Sequence, residues 1–259
     1  LRKDKKMPRL MATDDTQVIT IPGPGNFQYS AIKIEKLGAT EYTLFTNVVD
    51  ISGSVAPFKD QLRQCIIATV KACQKHARSE NILYRLLLFN HQIYEVHGFK
   101  LLDEIDPEND YEELKPDGMT ALFDATYDAV SATIEFGRRL TKQDFDVNGI
   151  VCIITDGMNN RGSMTPNEIK KKITVELAKE KIQSLITILV ALHDPNLDWS
   201  DDVQVALSEF QVQAELTQFV DIGEATPAKL AKLANFVSES VSSQSTALST
   251  GVPSQTLQF

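Results

Sequence analysis

Residues 48–55 read VVDISGSV: an apolar run that ends on Asp50, then two serines at alternate positions, then the start of a helix. A buried strand that stops on an acid and offers two hydroxyls spaced by two orders the rest of the chain. Upstream, YTLFTNVV (42–49) is nearly all apolar or β-branched, with Asn47 its one oddity, which predicts a strand covered on both faces. Downstream, Phe58, Leu62, Cys65, Ile66, Thr69, Cys73 and Ala77 recur at three and four residues, the spacing of an amphipathic helix. Pro57 falls in its first turn, where a missing N–H costs nothing.

The alternation continues along the chain. ILYRLLLFN (82–90) and IYEVHGF (93–99) read as two strands joined by a tight turn at Asn90-His91. After an acidic loop (103–113), TALFDATYDAVSATIEF (120–136) is helical, and GIVCIIT (149–155) is the clearest buried strand, ending at Asp156. Thr165, Pro166 and Glu168 form a capping box at the head of a helix over 165–182. LITILVAL (185–192) and QFVDI (218–222) are strands, 203–215 is weakly helical, and 226–240 is a capped helix. This predicts a doubly wound, Rossmann-like α/β domain over residues 41–242. Its sheet is expected to be mainly parallel and six-stranded, with one antiparallel edge strand from the 82–99 hairpin and helices on both faces. Residues 1–40 form an extension, broken by IPGPGN (21–26), in which VIT (18–20) and SAIKIEKL (30–37) can add short edge strands. Residues 243–259 are a Ser-rich tail whose last apolar residues can dock.

Asp and Glu total 35 against 26 Lys and Arg, a net charge of -9 that argues against a nucleic-acid surface, which needs a basic face. Cys65, Cys73 and Cys152 lie in apolar segments without metal-type spacing, so they read as buried free thiols in a reducing compartment. The N-terminal LRKDKKMPRLMATDD, with Met7 and Met11 as candidate native starts, lacks the apolar region of a signal peptide, and no stretch is long enough to span a membrane. A cytoplasmic location without membrane contact is the expectation.

In an open α/β sheet, ligands bind outside the carboxyl ends of the strands. Asp50 and Asp156 each follow a strongly apolar strand, so both emerge on that edge. Two carboxylates held together repel, and a divalent cation removes the conflict. Gly53 lets the chain turn so that Ser52 and Ser54 face the point Asp50 faces; Gly118-Met119-Thr120 sets a third hydroxyl at a helix start; Gly157 gives the second acid a tight turn. Two carboxylates and three hydroxyls are hard oxygen donors suited to Mg²⁺, Mn²⁺ or Ca²⁺. Five side chains leave a six-coordinate ion short of a ligand, and the neutral hydroxyls keep it attractive to an outside carboxylate. Taken singly, Ser54 or Thr120 reads better as a helix cap; the conjunction with Asp50 and Asp156 favours the metal.

Other features read more plainly. DFDVNG (144–149) imitates an EF-hand start, but its twelfth position is Thr155, so it is the turn into a strand. Asp103, Asp106 and Asp110, the group Asp194, Asp198, Asp201 and Asp202, and Lys170, Lys171 and Lys172 are solvated surface. Trp199 is a local packing anchor, and His76, His91, His97 and His193 show no ligand spacing.

Asp50-x-Ser52-x-Ser54, the distant Thr120 and Asp156-Gly157 occur in the order of a metal-ion-dependent adhesion site (MIDAS). Over about residues 40–242 the chain resembles the von Willebrand factor type A (VWA) domain, which carries that site. The resemblance implies that the serines and Thr120 contact the metal directly or through water and the aspartates partly through water. It further implies a binding module rather than an enzyme, a protein partner whose Asp or Glu completes the metal shell, and a last helix that can shift on occupation. Intracellular members of the family work in multiprotein assemblies, sometimes with AAA+ ATPases. Two alternatives stand beside it. A metal-dependent phosphatase or hydrolase of the Asp-x-Asp kind would need an acid where Ser52 stands. A scaffold would keep its metal for folding alone.

Overall fold

The computed structural model describes residues 13–21, 27–179, 182–192, 200–253 and 255–259. Its strands are β1 (Thr16–Thr20), β2 (Gln28–Ile32), β3 (Glu41–Asp50), β4 (Ile82–Phe89), β5 (Ile93–Leu101), β6 (Asp146–Thr155), β7 (Leu185–Leu192) and β8 (Gln218–Gly223). The helices are α1 (Lys59–Gln74), the single turn α2 (Pro107–Asp110), α3 (Leu122–Thr141), α4 (Pro166–Leu177), α5 (Ser200–Ala214) and α6 (Pro227–Thr250). One sheet runs in the order β1-β2-β5-β4-β3-β6-β7-β8. Strands β4, β3, β6, β7 and β8 are parallel, and β5 is antiparallel to β4.

Among the described residues the sheet therefore has eight strands, not six, and β5 is not its edge. TQVIT and QYSAI form an antiparallel hairpin whose second strand lies parallel against β5 through Ala31↔Phe99. Two contacts fix it there. Ser30 donates its backbone N–H (2.8 Å) and its hydroxyl (2.5 Å) to Glu95 Oε1. At Gly98 the backbones approach so closely that a Cβ would lie 1.8 Å from the Ser30 carbonyl oxygen. Gly98→Ala is accordingly expected to cost about 1–3 kcal/mol by overpacking. Urea midpoints should fall, and amide exchange should speed up first in residues 28–32; an unchanged midpoint would sink the assignment.

Both faces of the sheet are covered, which is why β3 from Tyr42 onward and the whole of β7 are buried rather than alternating between buried and exposed. Leu44 and Val48 of β3 enter the core under α3, α4 and α5, while Phe45 and Val49 enter the core under α1 and α6. Asn47 is buried between them, its Nδ2 donating to the Tyr84 hydroxyl at 3.3 Å. The capping box at Thr165 and Glu168 is present. Helix α6, capped by Thr226, runs ten residues past the expected end at 240, to Thr250. Its Ser-rich end is held because Ser240, Gln244 and Ser245 are buried and Asn148 Nδ2 donates to the Gln244 carbonyl at 2.7 Å. The final residues dock: Phe259 meets Phe236 edge-on at 5.4 Å, and Gln218 Nε2 donates to the Leu257 carbonyl at 3.1 Å. Asp144, at φ 63, turns the DFDVNG stretch into β6.

Cys65, Cys73 and Cys152 are buried free thiols, and burial pushes Cys65 and Cys73 up to about 12. No described helix is long and apolar enough to cross a membrane. The N-terminal stretch with Met7 and Met11, Pro22–Asn26 of the IPGPGN break, and the loop carrying His193, Asp194, Asp198 and Trp199 lie outside the described residues.

Candidate metal centre

Strands β3 and β6 are parallel neighbours, paired through Val49↔Ile154, so Asp50 and Asp156 leave the sheet at the same edge. Asp50 is 1% exposed, and both its oxygens are engaged. Oδ1 accepts the Ser52 N–H at 2.7 Å, and Oδ2 accepts the Thr155 hydroxyl at 2.5 Å. The Ser52 and Ser54 hydroxyls lie 3.1 Å apart, and Ser54 donates onward to Asp156 Oδ1 at 2.8 Å. The Ser52, Ser54 and Asp156 side chains thus form one continuous hydrogen-bonded chain, to which Asp50 is joined through the Ser52 backbone N–H. Thr120 approaches from the other side: a Cβ built on Gly157 would lie 3.4 Å from Thr120 Oγ1 and 3.9 Å from Ser54 Oγ.

The loops that carry these residues are tied to one another. Gly53 donates to the Gly118 carbonyl (3.2 Å) and Asp117 to the Ile51 carbonyl (2.9 Å), so the Ser52–Ser54 turn and the Thr120 segment are bonded directly to each other. Gly118 has φ 77, a conformation glycine adopts without strain. Asn90 adds a clamp, donating Nδ2 to the Asp117 carbonyl (2.9 Å) and accepting the Ala121 N–H at its carbonyl (2.8 Å). Asn160 Oδ1 accepts the Thr120 N–H at 2.8 Å, and Asn159 Oδ1 accepts the Phe123 N–H at 3.0 Å.

Neither the Thr120 nor the Ser54 hydroxyl makes a helix-capping bond. The residue before α3 is Ala121, with no side-chain cap, and an amide from the Asp156 loop does the capping that Thr120 does not. Ser54 sits within the 3-10 turn Gly53–Phe58, and its hydroxyl goes to Asp156. Thr155, Asn90, Asn159 and Asn160 escaped the sequence reading. A hydroxyl closing an otherwise apolar strand, and two amides directly after Asp-Gly-Met, were the available signals.

Burial pushes the Asp50 carboxyl up to about 6, against the hydrogen bonds from Thr155 and Ser52 that favour its ionised form. Burial, then the Asp50 charge, pushes Asp156 up to about 7. The protein thus holds two carboxyls where ionising both is costly, which a cation would reverse. Missing side-chain volume at Gly157, bordered by two hydroxyls, and an all-oxygen donor set fit a hard divalent ion. No group of three His, Cys, Asp or Glu side chains among the described residues could hold a metal. The candidate depends instead on two acids and three hydroxyls.

No family model matches the chain, and no curated protein matches it. Solved structures do. A point variant of the PilB minor pilin from Streptococcus sanguinis matches at TM-score 0.57 and 13% identity, over 86% of this chain and 66% of that one. Proximal thread matrix protein 1 from the mussel byssus, with a zinc-occupied MIDAS motif, matches at TM-score 0.51 and 15% identity, over 80% and 47%. The pilus adhesin SpaC from Lactobacillus rhamnosus GG matches at TM-score 0.52 and 9% identity, over 89% and 35%. The chain spans less than two thirds of the length of each. At such identities the likeness speaks for architecture alone: this is an α/β chain with a VWA-like fold.

Proposed function

We propose that this chain is a divalent-cation-dependent protein-binding module in which Asp50, Ser52, Ser54, Thr120 and Asp156 hold the cation as a MIDAS and a partner's Asp or Glu is the last ligand. The observation that carries this is the linkage of Asp50 to Ser52, of Ser52 to Ser54 and of Ser54 to Asp156 across the ends of two neighbouring strands, with the Thr120 hydroxyl beside Gly157. A bound cation would supply electrostatic attraction for a carboxylate and relieve the repulsion between the two acids. The chain's own residues do the positioning. Thr155 and the Ser52 amide orient Asp50, Ser54 orients Asp156, and Asn159 and Asn160 hold the Thr120 segment. Donors fixed beforehand cost less to order on binding.

The oxygen donors favour Mg²⁺, Mn²⁺ or Ca²⁺, and the zinc-occupied motif of the byssal protein makes Zn²⁺ a fourth ion to compare. A binding role is favoured over hydrolysis because Ser52 stands where the Asp-x-Asp phosphatase pattern has its second acid. Buried free thiols suit a reducing, cytoplasmic compartment, whereas the pilins and adhesin among the matched structures pull the other way. A multiprotein assembly, with an AAA+ ATPase among its candidates, follows from family analogy alone.

Calorimetric titration of EDTA-treated protein with each ion, beside Asp50→Ala, is the test. Saturable one-site binding is expected, weakened at least about a hundredfold in the variant, the loss of roughly 3 kcal/mol of interaction. Absent binding, or binding indifferent to Asp50, would overturn the proposal. Metal binding with partner capture unaffected by Thr120→Ala would favour the scaffold instead.

A further inference from the structure

The edge around these five residues carries apolar side chains. Met119, 45% exposed, precedes Thr120, and Met158, 40% exposed, follows Gly157. Ala56 and Pro57, both exposed, follow Ser54. Each of the three loops that bring a donor to the site therefore also brings an exposed apolar residue beside it. The two methionine loops abut, because the Thr120 carbonyl accepts the Asn160 N–H (3.0 Å) and the Arg161 N–H (3.2 Å).

Single exposed hydrophobics are ordinary on a protein surface. Exposed apolar residues on three loops that converge on one site are not, and they mark an interaction surface. The amide oxygens of Asn159 and Asn160, between them, already accept backbone N–H groups. Asp117 and Arg161, both exposed, stand on the same loops with opposite charge, so the rim offers no one-signed field to a run of acids. Methionine is flexible and polarisable, suited to apolar groups of varied shape.

We infer that the partner segment presents one Asp or Glu bracketed by apolar side chains, which Met119, Met158 and the Ala56-Pro57 turn receive. This rests on the metal-mediated reading above and adds a specificity to it. A carboxylate alone is common to every acidic surface; the apolar groups beside it select among them.

The test is selection of a random phage-displayed peptide library on the full chain in Mg²⁺, repeated in EDTA. Mg²⁺-dependent peptides are expected to share one acid with Leu, Ile, Met or Phe within two positions. A Met119→Ser, Met158→Ser double variant should bind them at least about tenfold more weakly. Its calorimetric Mg²⁺ affinity and melting temperature should match the parent, since both side chains are exposed. Mg²⁺-dependent peptides made of acidic runs, or affinity unaltered in the double variant, would overturn the inference while leaving metal-mediated binding intact. Peptides enriched equally in EDTA, or none enriched in Mg²⁺, would bring down both.

Discussion

Replacing Arg85 with alanine is expected to cost about 3–5 kcal/mol of folding stability, the cost of leaving buried charges without their counterion. Arg85 lies mid-strand in β4 and is 0% exposed, the largest fully buried side chain described. Its Nε donates to Glu95 Oε2 at 2.7 Å and its Nη2 to Asp128 Oδ1 at 2.8 Å, while the guanidinium carbon stands 5.7 Å from the centre of the Tyr29 ring. Glu95 also anchors Ser30, so one cation joins β4, β5, the N-terminal hairpin and α3. Alanine would strand two carboxylates in the core and leave a void beneath Tyr29. For a chain of this size the loss corresponds to about 6–20 °C in melting temperature. Arg85→Met combined with Glu95→Gln and Asp128→Asn should recover part of it, because the stranded charge is then gone. A melt of Arg85→Ala within about 2 °C of the parent would refute the assignment.

The second large effect is an unusual pH dependence of the metal-free protein. Ordinary Asp titrates near 4, whereas burial carries Asp50 to about 6, and burial with the Asp50 charge carries Asp156 to about 7. Both folded-state values are raised, so between about pH 4 and 7 the folded chain keeps protons that the unfolded chain has released. Stability from these groups is therefore fully present below pH 4 and falls as pH rises towards 7, by at most about 1.4 kcal/mol per pH unit for each proton held. Urea midpoints measured in EDTA from pH 4 to 8 should show that fall, and Asp156→Asn should flatten it between pH 6 and 7. Saturating Mg²⁺ should restore stability at pH 7 and above, because a cation held only by the folded, ionised site stabilises by mass action. An EDTA profile that rises from pH 5 to 7, or one that Asp156→Asn leaves unchanged, would show that the two acids are not held as described.

Much of this was legible in the residues. The covered strands, the capping box at Thr165 and the alternation of strand and helix are local patterns, and they fixed the α/β class. Asp50, Ser52, Ser54, Thr120 and Asp156 were legible for a related reason. Each stands at the end of an element whose direction the pattern already gave, and in a parallel sheet such ends share an edge.

The place of the two N-terminal strands, β1 and β2, in the sheet was not so fixed. TQVIT and QYSAI are short, and the place of their hairpin depends on Glu95 and Gly98, residues 65 and 68 positions beyond the Ser30 they meet. The extension of α6 to Thr250 was hidden because serines have modest helix propensity and this end is held by tertiary contact, Asn148 among them. The same holds for Thr155, Asn90, Asn159 and Asn160, whose partners come from other loops.

The sequence by itself determined the class of fold, the edge on which chemistry is placed and the donor types there, because periodicity and strand ends are local properties of the chain. Only the tertiary structure decided the eight-strand order, the buried Arg85 triad and the hydrogen bonds that orient each donor. Those depend on distances between residues that the chain separates and folding brings together.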